Sequence, residues 1–112
     1  MIRLYRGDVI EAYAPDGKGG TKPRPLVVYK DSKPEDTFIA VYCTTQNNGD
    51  EENTILVLKE SEEAAEMGLD KDTYIRPLDT KPMDKKFFKR KIGKCPLLKQ
   101  IDQIIDNNMS RR

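Results

Sequence analysis

Residues 21–46 read TKPRPLVVYKDSKPEDTFIAVYCTTQ, and the fold turns on how this stretch divides. Leu26, Val27, Val28 and Tyr29 form one apolar run, and Phe38, Ile39, Ala40, Val41, Tyr42 and Cys43 form the next. β-Branched and aromatic residues bounded by turn formers are the composition of two buried strands, here joined by a polar connection over residues 30–36. Arg24, set between two prolines, then opens the first strand, and Thr44, Thr45 and Gln46 close the second. Polar groups placed where strand meets loop are where chemistry concentrates.

Working outward, residues 5–13, YRGDVIEAY, alternate Val9, Glu11 and Tyr13 with Ile10 and Ala12 after an Arg6-Gly7-Asp8 turn. That period of two predicts a first strand with one face buried. Residues 14–22 hold three glycines and a proline and predict a hairpin loop. The loop lacks the spacing of a phosphate-cradling GxxxxGK[ST] motif and no helix follows it, which argues against a nucleotide cofactor. Downstream, NNGDEEN is a turn, residues 54–58 (TILVL) a strand, and Ser61 caps a short helix that ends at Gly68. Residues 73–78 (TYIRPL) make another strand, which Pro77 should end or confine to an edge. Residues 82–86 turn the chain into a last strand, FFKRKI, at 87–92. Its lysines blunt an edge even if they bind nothing. Cys95-Pro96 opens a C-terminal helix, since proline suits the first helical position. Leu97, Leu98, Ile101, Ile104 and Ile105 give that helix one apolar stripe. Asn107-Asn108 should end it, leaving residues 109–112 as a frayed tail. The sum is about six short strands, a short middle helix and a C-terminal helix, a mainly β (α+β) arrangement forming a small barrel or strongly curved sheet.

At 112 residues the chain is read as one domain, 1–112, and 35% charged residues make it very polar. The net charge of +1 hides an asymmetry: residues 50–72 carry nine acids against two lysines, and residues 81–99 carry eight bases against Asp84 alone. The first segment reads as a solvated or partner-facing surface and the second as a candidate polyanion face, though both are equally compatible with solubilising surface. No stretch approaches a membrane span and residues 1–6 lack the apolar core of a signal peptide, so a cytoplasmic location is expected. Cys43 lies inside an apolar strand and Cys95 precedes a proline, with no CxxC spacing, which favours a buried and an incidental thiol over a disulfide or metal site. The absence of histidine is the most restrictive count. It excludes a Ser/His/Asp hydrolase or a histidine nuclease, so any catalysis must use hydroxyls, carboxylates, lysine or arginine.

On the residues alone the working assignments stay open. Arg24 fits either a phosphate-binding fork or a strand-start residue tied to a local carboxylate. Thr44 and Thr45 suit a strand as well as a site, and Tyr13 and Tyr42 suit a core.

The order of motifs narrows the choice. RGDVIEAY, a Gly-rich loop, KPRPLVV, AVYCTTQ, GLDKDTYIRP, a lysine-rich strand and a terminal helix together resemble the MazF/PemK family of toxins over roughly residues 5–105. The resemblance implies an SH3-like barrel that dimerises and cuts single-stranded RNA at short sequences without a metal or other cofactor. It also implies inhibition by a small antitoxin whose C-terminal segment fills the RNA groove. By the family pattern Arg24 matches the catalytic arginine of the RP motif, Thr44 the catalytic threonine, and Arg76 an arginine used by the PemK branch. That branch carries an acid two residues after the arginine, where this chain has Leu78, with Asp79 adjacent as a weaker candidate. The histidine some members carry in the first loop is absent, which leaves Lys18 or Lys22 to cover a phosphate contact. Tyr13, Thr45, Gln46, Asn47 and Lys81 complete the expected RNA contacts, because single-stranded RNA is read by stacking and by base-edge hydrogen bonds. A non-catalytic RNA- or partner-binding module is the alternative on the same barrel, and a gyrase-directed toxin a more distant one.

Overall fold

A computed structural model describes residues 3–13, 23–31, 37–47, 49 and 51–109. Six strands and two α-helices follow in chain order. They are β1 (Asp8–Tyr13), β2 (Pro23–Asp31), β3 (Thr37–Thr44), β4 (Ile55–Val57), α1 (Glu62–Met67), β5 (Thr73–Asp84), β6 (Phe88–Lys94) and α2 (Leu98–Met109). All strand pairs are antiparallel, in the order β4-β5-β3-β2-β1-β6.

The two apolar runs of the opening stretch are β2 and β3, and the sheet explains why they are continuous and not alternating. Val27 and Val41 face one core with Val9, Cys43, Ile75, Met67 and Ile101. Leu26, Val28, Phe38 and Ala40 face a second core with Ile10, Ala12 and Met83. A strand buried on both sides has no solvent face on which to place polar residues. Leu97 just before α2, and Leu98, Ile101 and Ile105 on its apolar stripe, pack into the first core, and α1 supplies Ala64 and Met67 to the same side.

The sheet is curled but not closed: β4 and β6 are its two ends, and no ladder joins them. What joins the ends is α1, which follows β4 in the chain and lies against β6. Backbone touches backbone there. A Cβ on Gly68 would collide with the Ile92 carbonyl, and one on Gly93 would stand 2.5 Å from the Met67 carbonyl carbon. Gly68 also takes φ +74° as the left-handed cap of α1, a conformation that glycine adopts without a steric penalty. Ser61 caps the other end, its hydroxyl accepting the Ala64 N–H at 3.1 Å.

Two expectations about β5 are corrected. Pro77 does not end the strand, although β4 pairs only as far as Ile75 and so leaves Pro77 on an edge, and the turn expected at 82–86 is strand as far as Asp84, with a single 3-10 turn at Lys85–Phe87. The β3 register explains this. Val41 pairs with Thr80 and Cys43 with Ile75, so residues 76–79 are looped out of the ladder as a bulge. Pro77 therefore removes no ladder bond, and its carbonyl accepts the Thr80 hydroxyl at 2.5 Å. The C-terminal helix begins at Leu98 and runs through Asn107 and Asn108 to Met109. Asn108 does not stop it because its side-chain amide donates to the Ile104 carbonyl one turn back, at 2.8 Å, and to Asn53 Oδ1 at 2.9 Å. Among the described residues no helix is long and apolar enough to cross a membrane.

Candidate functional site

Register places Arg24 and Thr44 together, whereas Arg76 stands on the neighbouring strand and does not line the cavity that those two share. Leu26 of β2 pairs with Tyr42 of β3, so Arg24 and Thr44, each two residues further toward the same end, project from the same face. Thr44 pairs in turn with Tyr74 of β5, and Arg76 follows two residues later on that face. The bulge at 76–79 brings Asp79 to Arg76: its carboxylate lies 3.7 Å from Arg76 Nη1 and 3.1 Å from Lys81 Nζ. Lys81 also lies over the Tyr42 ring, 4.7 Å from its centroid. Leu78, at the position where an acid was expected, is 49% exposed, and the carboxylate nearest Arg76 is that of Asp79.

Two atoms of this cluster keep unused hydrogen-bonding capacity. The Thr44 hydroxyl accepts the Gln46 N–H at 3.2 Å, which uses a lone pair and leaves its proton to donate. Arg24 is half-buried, and its Nε is buried with no hydrogen-bond partner among the described residues. A guanidinium N–H withdrawn from water and left unbonded is costly, and an incoming anion would remove that cost. Burial raises the Tyr42 hydroxyl above the usual tyrosine range, with Lys81 opposing and Asp79 assisting, so Tyr42 is a neutral O–H at neutral pH.

Beside this face, where the strands end, is a cavity of about 530 Å³. Arg24, Thr44, Thr45 and Gln46 line it, together with Pro23, Pro25 and Cys43. Its other walls are Gly68, Leu69, Asp70 and Lys71 after α1, Thr73 of β5, and Glu11, Arg90 and Ile92 of β1 and β6. Glu11 and Arg90 are register partners, and Arg90 Nε donates to Glu11 Oε1 at 2.5 Å.

Other sequence-derived candidates fall elsewhere. Asn47 is exposed and accepts the Gly49 N–H at 2.8 Å, outside the cavity lining. Tyr13 is 39% exposed at the end of β1, with Lys89 Nζ 5.9 Å from its ring centroid. Lys18 and Lys22 lie outside the described residues. The basic stretch is less of a polyanion face than its composition suggested. Lys81, Lys85, Lys86, Arg90, Lys91 and Lys94 each pair with a carboxylate, leaving its field largely neutralised at close range. Sequence reasoning missed Glu11, Arg90, Asp70 and Lys71 as cavity residues. The one signal for them was Glu11, a charge on the Val9 face in the middle of β1.

Both cysteines are free and buried. Burial pushes both thiols up, and Cys43 furthest, so neither is a thiolate at neutral pH.

No protein-family model and no curated protein sequence matches the chain. Solved structures do. An endoribonuclease in complex with its cognate antitoxin, from a mycobacterial species, aligns over 98% of this chain and 96% of its own at 14% identity, with a TM-score of 0.66. The toxin MazF-mt6 of Mycobacterium tuberculosis aligns over 92% of this chain and 96% of its own at 16% identity, with a TM-score of 0.67. At such identities the likeness speaks to architecture, and on that evidence this six-stranded sheet with its two helices has the fold of the MazF toxins.

Proposed function

We propose that the chain is a metal-independent, sequence-specific endoribonuclease, the toxin of a type II toxin–antitoxin pair, acting as a cytoplasmic homodimer on single-stranded mRNA. The observation that carries this reading is the convergence of Arg24 and Thr44 at one strand end, with the Arg24 Nε buried and unpaired among the described residues. That one structural neighbour is an endoribonuclease and another a MazF toxin supports it, and the neighbour bound to its cognate antitoxin supports an antitoxin as partner.

The chemistry requires little machinery. The ribose 2′ oxygen attacks the adjacent phosphorus, the bond to the 5′ oxygen breaks, and the products are a 2′,3′-cyclic phosphate and a 5′ hydroxyl. The enzyme has to stabilise the added charge on the phosphoryl oxygens and manage one proton. Arg24 presents a rigid fork of fixed charge to those oxygens, and Arg76 adds a second. Thr44 donates a hydrogen bond from its free hydroxyl to the phosphate and keeps its proton. Asp79, held between Arg76 and Lys81, accepts the 2′ proton, and the leaving 5′ oxygen takes one from water. Thr45, Gln46, Tyr13 and Asn47 are the base-contacting set along the strand end.

The test is incubation of the purified chain with mixed-sequence RNA in EDTA, followed by mapping of the 5′ ends. Defined cuts are expected. Intact RNA with salt-sensitive binding refutes catalysis and leaves the non-catalytic binding module.

A further inference from the structure

The cleavage scheme leaves the Glu11–Arg90 pair of the cavity unused. Ala12 is the register partner of Arg24, so alternation sends Glu11 to the opposite face, with Val9. Its carboxylate meets Arg24 and Thr44 only across the cavity that all three line. Nor is the pair a strong structural tie: the side chains are 22% and 65% exposed, and an ion pair this open to water adds little to stability. It does hold a carboxylate and a guanidinium side by side in a cavity of about 530 Å³ that Arg24 and Thr44 also line.

An ionised carboxylate only accepts hydrogen bonds and a guanidinium only donates them. The RNA backbone phosphate has no donor and is repelled by Glu11, so the part of RNA that suits this wall is a base edge. Of the four bases, guanine alone presents two adjacent N–H donors, N1–H and the 2-amino group, next to a carbonyl acceptor, O6. Glu11 matches the donors and Arg90 the acceptor. The volume falls within the roughly 300–1,000 Å³ of small-ligand sites, enough for one purine. Single-stranded RNA is read by bases splayed out of the strand in this way.

We infer that the cavity seats a guanine flanking the scissile phosphate, with Glu11 and Arg90 as specificity-determining residues. The inference rests on RNA being the substrate of the adjoining face.

Hexaribonucleotides carrying 2′-fluoro groups lack the attacking hydroxyl and so separate binding from cleavage. Their affinity for the full chain is measured by fluorescence anisotropy at fixed salt, using an all-uridine oligomer and versions with one guanosine, inosine, adenosine or cytidine. Guanosine should bind more tightly than uridine or inosine by roughly 5- to 150-fold, the size of a bidentate base contact. Glu11→Gln and Arg90→Gln should each reduce that preference while leaving the salt dependence of uridine binding unchanged. Far-UV circular dichroism and a urea midpoint establish that both variants fold. Equal affinity for guanosine and inosine in the parent overturns the inference, as does a preference that survives both substitutions or one for adenosine or cytidine. RNA that is cut without guanosine preference sinks this assignment alone, whereas RNA that is neither bound nor cut sinks the endoribonuclease reading with it.

Discussion

Asp8 offers a quantitative test of what holds β1, β6 and the approach to α2 together. Its side chain is 1% exposed and accepts three hydrogen bonds: from the Tyr5 N–H at 2.8 Å, from Lys94 Nζ at 2.5 Å and from Lys91 Nζ at 3.0 Å. The turn it closes is tied to the rest by Gly7, whose N–H donates to the Val28 carbonyl at 2.8 Å and whose carbonyl accepts the Cys95 N–H at 2.7 Å. Asp8→Asn keeps the shape and the Tyr5 bond but removes the charge. Hydrogen bonds to charged groups contribute about 1.5–3 kcal/mol each in net terms. Both lysine heads reach water and resolvate when released, so the loss should total about 2–3 kcal/mol rather than the larger penalty of a stranded buried charge. For a chain of this size that lowers Tm by roughly 10–20 °C. Desolvation alone would raise the Asp8 pKa, but the Lys94, Tyr5 and Lys91 bonds outweigh it and hold the carboxyl below the usual aspartate range. A depressed folded-state pKa contributes stability that is full above the unfolded value, about 4, and is lost as pH falls through the folded one. The parent should therefore exceed Asp8→Asn in stability at pH 7, with the gap closing below about pH 4. Urea midpoints at pH 7 and pH 3 measure both limits. A variant as stable as the parent at pH 7, or a gap independent of pH, would refute the reasoning.

Three further outcomes follow from packing and polar ties. Gly93→Ala must push its Cβ against the Glu66 and Met67 backbone, so urea titration should register a loss of at least about 2 kcal/mol, and a neutral result would contradict the contact between α1 and β6. Tyr29→Phe removes the 2.5 Å bond from the tyrosine hydroxyl to Asp102 that links β2 to α2, and thermal unfolding should show a loss of about 1–1.5 kcal/mol. Arg6→Ala, whose ion pair with Asp102 is 45% and 37% exposed, should cost under about 1 kcal/mol by the same measurement.

Much of this architecture was legible because the local signals agreed. Apolar runs bounded by turn formers fixed β2 and β3, and Ser61 with Gly68 bracketed α1 to the residue. What was not legible depended on pairing. Proline as a strand breaker misplaced the end of β5, since only the β3 register reveals a bulge in which Pro77 forfeits nothing. The same bulge brings Asp79 to Arg76, a contact that spacing from Leu78 does not suggest. Counting bases between residues 81 and 99 could not foresee that Asp8, Glu11 and Asp31 on other strands, with Asp79 on Lys81's own strand, would pair with five of the eight. Glu11 was visible only as a charge in the middle of β1, and its meaning required Arg90 opposite it.

Cleavage of RNA by Arg24→Ala in EDTA tests the central claim most directly. The buried, unpaired Nε means that truncation removes no hydrogen bond among the described residues, so the urea midpoint should hold within about 0.5 kcal/mol. Cleavage rate should fall by about 10²–10³, the size of a lost charge-stabilising donor, with Thr44→Ala falling in the same direction. A folded Arg24→Ala variant that cuts RNA at the parent's rate would contradict the account.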